Sequence, residues 1–216
     1  MKKNYLSVVY DEKRTPKTDY PIRLASYLMQ RFGLKKEERL LEIGCGRGDF
    51  LAGFSSVGLD CFAVDREEEC QDLLPGIVVK QCDISKERLP FEDGFFDIVY
   101  HKSLIEHLAD PSWLMDETLR VLKPGGKLIV LTPDWVSQME IFFEDYTHSR
   151  PYTELALKDL MVGWGLKNVA VERFYQLPAV WRHPVLKVPA WLLRKLLKVG
   201  RARQLPDIKG VKFIRF

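Results

Sequence analysis

LLEIGCGRGDF, residues 40–50, is the stretch of sequence that decides the fold. A short apolar run ends at Ile43, and three glycines follow at positions 44, 46 and 48. Because glycine has no Cβ and tolerates positive φ, a chain can turn tightly here and bring its backbone against a ligand. A helix that begins near Gly48 would point its free N–H groups at the same ligand. The stretch therefore predicts a strand, a ligand-binding turn and a helix.

The spacing of the glycines bears on which ligand is bound. The dinucleotide fingerprint G-x-G-x-x-G would place its third glycine where Asp49 stands, and an acidic side chain there would face a pyrophosphate. Glu42 is a second carboxylate near the turn. Two carboxylates favour a nucleotide-like cofactor that carries positive charge. The motif alone also fits an ordinary strand-to-helix turn, so its surroundings must decide.

The surroundings indicate a doubly wound sheet. Apolar runs at 39–43, 61–65, 77–81, 95–101 and 127–132 alternate with segments typical of helices, which predicts parallel β-α-β units. Asp65 ends the second run, where an acid accepts hydrogen bonds from a ribose diol, and Asp83 follows the third. Such sheets bind ligands at the carboxyl ends of their strands, and these acids lie there.

The motifs together resemble those of class I S-adenosylmethionine-dependent methyltransferases. Over residues 38–135 the chain carries LEIGCGRGDF, AVDREEE, CDI, FDIVYHKSLIEHLADP and LKPGGKLIVLTPD, in order and at the spacing of the family. The resemblance is to the small-molecule methyltransferases, which include quinone-biosynthesis and cell-envelope enzymes. It implies a Rossmann-like α/β fold with a seven-stranded, mostly parallel sheet and helices on both faces.

The same resemblance implies S-adenosyl-L-methionine as cofactor and assigns residues to it. The end of the first strand and the glycine turn hold the methionine end of the cofactor. The end of the second strand holds the ribose, and the residues after the third strand hold the adenine. The fourth strand contributes contacts to the methionine part. The residues so implied are Glu42, Gly44, Cys45, Gly46, Gly48, Asp65, Arg66, Asp83, Ile84, His101 and Lys102.

The remaining elements are predicted from periodicity and from capping residues. Helices are expected at 21–32 with a cap at Thr18 or Asp19, and at 48–56, 67–74, 111–122 and 153–162. A sixth strand is expected at 169–175 and an antiparallel last strand at 211–216. We expect residues 1–175 to form the cofactor-binding core with an N-terminal helix or lid, and 176–216 to add a basic amphipathic helical insertion and the last strand.

Glu106-His107 raises the question of a metal. Some quinone O-methyltransferases and a small-RNA methyltransferase family carry E-x-x-E-H here, which helps to bind a divalent ion, but Ser103 replaces the first glutamate in this chain. Glu106 and His107 form only a partial site, to which His148 could add a ligand. The alternative is a histidine hydrogen-bonded near a helix start, with its carboxylate neighbour pointing outward. No metal is predicted, and His107 is retained as a catalytic candidate.

Residues 133–152 are the predicted acceptor site. They follow the fifth strand, are rich in aromatic and proton-exchanging groups, and resemble a D-x-x-H-x-R-P-[FY]-T stretch of bacterial methyltransferases. His148 is the preferred general base, because histidine alone titrates near neutral pH without perturbation. A role for His148 and Arg150 in holding the loop is the alternative.

The C-terminal part is strongly basic. From Arg173 to Phe216 the chain has 11 Lys and Arg against one acid, and residues 190–199 place apolar and basic side chains on opposite faces of a helix. Such a helix suits an anionic membrane surface, contacted through 185–203, or packs on the domain. Nucleic acid is a third partner, although the run lacks a recognisable binding module.

Composition narrows the location of the protein. The chain has 216 residues and a net charge of +3, which is too small to argue for nucleic acid by itself. We expect no signal peptide and no transmembrane helix. The four cysteines form no C-x-x-C pair, so reduced thiols in a cytoplasmic protein are expected, with peripheral association at the inner face of the membrane as an option.

The enzyme would methylate O or N of a small or lipid-linked acceptor. Alternatives are a nucleic-acid methyltransferase and a non-catalytic cofactor-binding subunit.

Overall fold

The computed structural model describes residues 16–68, 70 and 74–190, and these form two compact units divided between Thr132 and Pro133. The first unit alternates strands and helices as predicted. In chain order its elements are α1 (Tyr20–Phe32), β1 (Arg39–Ile43), α2 (Asp49–Ser56), β2 (Asp60–Asp65), β3 (Val78–Gln81), β4 (Phe96–Lys102), a 3-10 turn (Ile105–His107), α3 (Ser112–Val121) and β5 (Leu122–Leu131).

The five strands are parallel and lie in the order β3-β2-β1-β4-β5. In the centre, Leu41 of β1 is aligned with Phe62 of β2 on one side and with Val99 of β4 on the other. The chain runs from β1 toward the β3 edge and from β4 toward the β5 edge. Because parallel crossovers are right-handed, α2 and α3 cover opposite faces of the sheet. The predicted class and layering are confirmed.

The core is built from strands that are apolar on both faces. Leu40, Leu41 and Ile43 are fully buried, as expected for a parallel strand with a helix layer on each side. Phe54 of α2 packs edge-on against Tyr100 of β4, with ring centroids 4.9 Å apart. The residues at the strand ends are therefore attached to a closely packed core.

Helix α1 packs closely on α2 because α2 carries a glycine at the contact. A Cβ built on Gly53 would lie 2.8 Å from the backbone oxygen of Pro21, closer than real Cβ contacts allow. Gly33 ends α1 in the left-handed conformation, with φ of 59°. Asp19 precedes the helix but makes no side-chain cap bond, and instead pairs with Arg23 one turn later.

Two predictions about the sheet are corrected. The fifth strand begins at Leu122, not at Lys127, because Phe96 pairs with Leu122 and Ile98 with Lys127, and residues 123–126 are an irregularity within the strand. The sixth strand is wrong, since residues 169–175 have no regular secondary structure. The described sheet has five strands rather than seven.

Three further predictions fall wholly or partly outside the described residues. They are the last strand at 211–216, the amphipathic helix at 190–199 except residue 190, and half of the helix at 67–74. The domain division at residue 175 stays a prediction.

The second unit contains short helices. They are α4 (Trp135–Gln138), a 3-10 turn (Phe142–Glu144), α5 (Glu154–Gly163), α6 (Pro178–Arg182) and a 3-10 turn (Pro184–Leu186). Thr153 caps α5, accepting a hydrogen bond from the Ala156 N–H at 3.1 Å. In the part of the chain that the structure describes, no helix has both the length and the apolar character needed to cross a bilayer.

Candidate active site

The topology places a crevice at the carboxyl ends of β1 and β4, where the chain leaves neighbouring strands in opposite directions. Gly44, Gly46 and Gly48 after β1 have φ of 75°, 53° and 75°. A Cβ on Gly44 would lie 3.1 Å from a methyl of Leu104, which follows β4. The two loops thus meet at the switch point, where all three glycines have positive φ and Gly44 in addition leaves room for Leu104.

Glu42 is a buried acid with unused hydrogen-bonding capacity. Its side chain is almost inaccessible, and its Oε2 accepts no hydrogen bond from the described residues. Burial raises the pKa of Glu42 well above its usual range, and the nearby Lys102 opposes that shift. A buried acceptor without a donor is costly. A ligand that brings an ammonium or a hydroxyl to this position would satisfy it.

Asp65 ties the glycine turn to the end of β2. Its Oδ2 accepts the Gly46 N–H at 2.7 Å and its Oδ1 accepts the Glu67 N–H at 3.0 Å. A carboxylate has about four lone-pair positions, so two remain for ribose hydroxyls. The side chain of Arg66 is exposed and pairs with Glu67 at 3.1 Å, and its assignment to the cofactor stays a prediction.

The last residues of β4 contribute to opposite faces of the sheet. Lys102 lies with its Nζ 4.9 Å from the ring centroid of Phe50 on α2, and burial lowers its pKa. His101, the neighbouring residue, therefore faces the other side. It is fully buried, neither ring nitrogen is hydrogen-bonded within residues 16–190 where these are described, and burial lowers its pKa to about 4. His101 is neutral at pH 7.

Asp83 is engaged in its own turn. Its Oδ1 accepts from the Ser85 N–H at 3.1 Å and from the Ser85 hydroxyl at 2.6 Å, and Lys86 lies 3.3 Å from Oδ2. The hydrogen bond from the Ser85 hydroxyl is the main reason that the pKa of Asp83 is lowered. Ile84 is buried beside it. The assignment of both residues to the adenine stays a prediction.

Two features of the crevice were missed by the sequence analysis. Asp49, counted there as a free carboxylate, forms an ion pair with Arg47, so Glu42 is the carboxylate of the turn whose Oε2 has no hydrogen-bond partner among the described residues. Ser103 adopts φ of 54°, a strained conformation for a residue with a side chain, while its N–H donates to Leu131. The Arg47–Asp49 spacing was visible in the sequence; serine gives no signal for positive φ.

Glu106 does not have the orientation that the alternative interpretation gave it. It is fully buried rather than outward-facing, and its Oε2 accepts a hydrogen bond from the Thr132 hydroxyl at 2.9 Å. A buried carboxylate needs such donors, which explains the position. His107 ends the 3-10 turn, with its N–H bonded to Leu104 at 3.0 Å. Its catalytic role stays a prediction.

Within the second unit, the predicted acceptor segment is closed by its own contacts. The Trp135 N–H donates to the Tyr152 carbonyl at 2.9 Å. The Nδ1 of His148 lies 2.6 Å from the Phe142 carbonyl oxygen. Because a carbonyl can only accept, Nδ1 carries the proton and Nε2 the lone pair in the neutral ring. The bond suits both interpretations of His148, as a base held in one tautomer and as a loop support.

Comparison with known proteins identifies the family. Residues 14–171 match the model of a methyltransferase domain family, which is more than half of the chain. The chain belongs to this family. An uncharacterized methyltransferase of Schizosaccharomyces pombe is 29% identical over 62% of this chain and 51% of its own length. The ubiquinone/menaquinone biosynthesis C-methyltransferase UbiE of Vibrio parahaemolyticus is 32% identical over 46% of this chain and 42% of its own length.

The fold of this methyltransferase-family chain also recurs among solved structures. A SAM-dependent methyltransferase from Archaeoglobus fulgidus superposes with a TM-score of 0.62 over 91% of this chain and 94% of that one, at 22% identity. The class I methyltransferase fold predicted from the sequence is confirmed. The chain spans about half the length of the first curated relatives that it matches.

Proposed function

We propose that this protein is an S-adenosylmethionine-dependent methyltransferase whose cofactor lies at the carboxyl ends of β1, β2 and β4. The observation that carries the proposal is Glu42, a buried carboxylate with an unpartnered oxygen beside a turn of three positive-φ glycines. A dinucleotide would bring pyrophosphate to this negative site, whereas S-adenosylmethionine brings an ammonium and a sulfonium. Family membership supports the same cofactor.

S-adenosylmethionine supplies a methyl group on a positively charged sulfur. The chain's part is to bind, orient and exclude water. Glu42 would accept hydrogen bonds at the methionine end, together with the backbone of the turn at Gly44, Gly46 and Gly48. Asp65 would accept from the ribose through its two remaining lone-pair positions, because its other two already hold the turn.

For an acceptor that attacks through a hydroxyl or protonated nitrogen, we propose His148 as the general base. Its Nδ1 donates to the Phe142 carbonyl, which supports Nε2 as the nitrogen that receives the acceptor's proton. Methyl transfer to oxygen or nitrogen of a small or lipid-linked molecule is the proposed reaction. The quinone C-methyltransferase among the relatives makes carbon a third atom to test.

Contact with a membrane surface through residues 185–203 is proposed as well. Among the described residues of this stretch, Val185 and Val188 are 77% and 63% exposed, which supports an apolar face. Co-sedimentation with vesicles tests it. Binding to phosphatidylglycerol vesicles but not to phosphatidylcholine vesicles is expected. Failure to sediment with either kind of vesicle would reject this contact.

Calorimetric titration with S-adenosylmethionine, and separately with NAD, tests the proposed cofactor. We expect micromolar binding of the first and none of the second. Asp65→Ala should weaken binding at least about tenfold, because a lost pair of buried hydrogen bonds costs more than about 1.4 kcal/mol. Asp60→Ala is the matched control, since Asp60 is an exposed aspartate at the other end of the same strand. No binding of S-adenosylmethionine up to millimolar concentration would refute the proposal.

A further inference from the structure

The four cysteines are free thiols, but they have different partners. The thiol of Cys61 donates to the Leu59 carbonyl at 3.6 Å, and that of Cys82 donates to the Arg88 carbonyl at 3.7 Å. Each of these two thiols therefore has a hydrogen-bond acceptor close to it in the chain. The sulfurs of Cys45 and Cys70 instead lie within 4.8 Å of each other, although 25 positions separate the two residues in the chain. The fold has brought these two thiols together.

Asp65 completes a cluster with this pair. One sulfur from each of Cys45 and Cys70 and one carboxylate oxygen of Asp65 all lie within 4.8 Å of one another. In a tetrahedral zinc site with Zn–S bonds of about 2.3 Å, neighbouring ligand atoms are about 3.7 Å apart. An inward movement of about 1 Å at most would convert the observed arrangement into a three-ligand site with one position left for water.

The ligands are held by elements of different kinds. Asp65 ends β2, and its carboxylate is oriented by N–H groups of Gly46 and Glu67, which act as the outer hydrogen bonds that metal-binding carboxylates require. Cys45 lies in the glycine turn, which can adjust. Both thiols are almost inaccessible to water. A bound ion would therefore be enclosed by protein.

The charge of the surroundings favours a cation. Glu42 and Asp65 both act on the Cys45 thiol with negative potential. A divalent ion would offset this potential and displace the thiol protons to solvent, so that two thiolates and one carboxylate bind it. Thiolate ligands select zinc-like ions over magnesium and calcium. We propose that Cys45, Cys70 and Asp65 form a binding site for a thiophilic divalent metal ion such as Zn²⁺.

The position of this site has a consequence that rests on the proposed function. Asp65 is proposed to bind the ribose, and Cys45 lies in the turn that holds the methionine end. An ion that occupies Asp65 withdraws the carboxylate from the ribose. Zinc and S-adenosylmethionine are therefore expected to compete, and a thiophilic metal would inhibit the enzyme without binding its acceptor site.

Titration with Co²⁺ in the absence of cofactor tests the site itself. In reduced protein we expect a near-ultraviolet thiolate-to-cobalt absorption that saturates at one ion per chain. Cys70→Ser should weaken binding at least about tenfold, because one of three ligands is lost. Cys61→Ser is the matched control and should titrate as the wild type, since serine can keep the bond to Leu59. Equal titrations of all three proteins, or no absorption in any, would overturn the site.

X-ray absorption of the zinc-loaded wild-type protein keeps the test independent of variant folding. Two sulfur ligands at about 2.3 Å are expected, with oxygen filling the remaining positions. A shell of nitrogen and oxygen alone would place the ion elsewhere and reject the proposal.

Competition is measured last, by titrating S-adenosylmethionine with and without saturating Zn²⁺. Weaker binding in the presence of zinc is expected for the wild type and not for Cys70→Ser. Unchanged affinity in a protein that shows the cobalt absorption would refute the competition while leaving the metal site in place. Absence of cofactor binding in either condition would refute the proposed function alone.

Discussion

Single residues set the electrostatics of this crevice, because the parallel sheet removes them from water. Glu42 and Lys102 both shift toward their neutral forms through burial, and each partly stabilises the charge of the other. His101 has no such partner among the described groups and stays neutral. Burial of these ionisable residues at the strand ends destabilises the folded chain, and contacts with a ligand at the same place can offset that cost.

His101 predicts a pH dependence of stability. Its folded pKa of about 4 is below the usual 6.5, so the unfolded chain binds more protons and stability falls as pH decreases from 6.5 toward 4. Between pH 7 and 5 this contribution amounts to about 2 kcal/mol. Urea unfolding at both values should show a smaller loss for His101→Gln than for wild type. His183→Gln, at an exposed histidine, should keep the wild-type loss, and equal losses in all three contradict the prediction.

Glu42→Gln separates binding from stability. The amide keeps the shape of the side chain but removes a buried charge, so the free energy of unfolding should stay equal or rise. Affinity for S-adenosylmethionine should fall at least about tenfold, because charge-assisted hydrogen bonds are roughly twice as strong as neutral ones. Glu92→Gln, at an exposed glutamate, is the control for both measurements. Retained affinity in the Glu42 variant would remove this carboxylate from the cofactor site.

At the scale of elements, close packing of helices depends on glycine where two backbones approach. Gly53 of α2 faces the Pro21 carbonyl of α1 at a distance that leaves no room for a methyl group. Gly163, the last residue of α5, has nothing within 4 Å of the same position. These two helical glycines have the same chemistry and opposite surroundings.

Alanine at each position is expected to change stability in opposite directions. Gly53→Ala should lower the free energy of unfolding by about 1–3 kcal/mol, because overpacking forces the helices apart. Gly163→Ala should leave it unchanged or raise it by about 0.5–1 kcal/mol, because alanine loses less entropy in a helix. Chemical denaturation measures both. A Gly53 variant as stable as the wild type would show that α1 moves without cost.

The sequence predicts elements well where local chemistry and tertiary packing agree. β1 and β2 combine an apolar run with a glycine turn or an acid at the end, and β1 to β4 were placed within about one residue of their observed bounds. Residues 123–126 contain Pro-Gly-Gly, yet they form an irregularity inside β5, because Leu122 before them and Lys127 after them both align with β4. Residues 169–175 show the reverse: an apolar run forms no strand there. The local sequence of neither segment indicates whether it belongs to the sheet.

The same limit applies to the site. Glycine spacing and acids at strand ends identify the crevice, since both follow from local backbone and charge requirements. The burial of Glu106, the positive φ of Ser103 and the meeting of Cys45 with Cys70 depend on distant parts of the chain. Each could be recognised only after the strands had been assembled.

For the whole molecule, ligand binding and stability are linked. At 100 times its dissociation constant, S-adenosylmethionine should add about 2.7 kcal/mol to the free energy of unfolding. For a domain of this size that corresponds to a rise in Tm of roughly 5–10 °C. Thermal unfolding with increasing cofactor checks this, with NAD at equal concentration as the control. A shift of the same size with NAD would argue against a selective site.

The strand order also has a consequence for synthesis on the ribosome. The central strands β1 and β4 are neighbours in the sheet, and the bond from the Arg39 N–H to Asp97 joins positions 58 residues apart. Strand β1 therefore cannot pair with its second neighbour until β4 has left the exit tunnel. Until then, its apolar side chains are incompletely buried in the nascent chain. At about 5–20 residues per second this delay lasts several seconds. Non-local parallel pairing of this kind is slow, so the apolar side chains of β1 stay exposed to other chains during that interval.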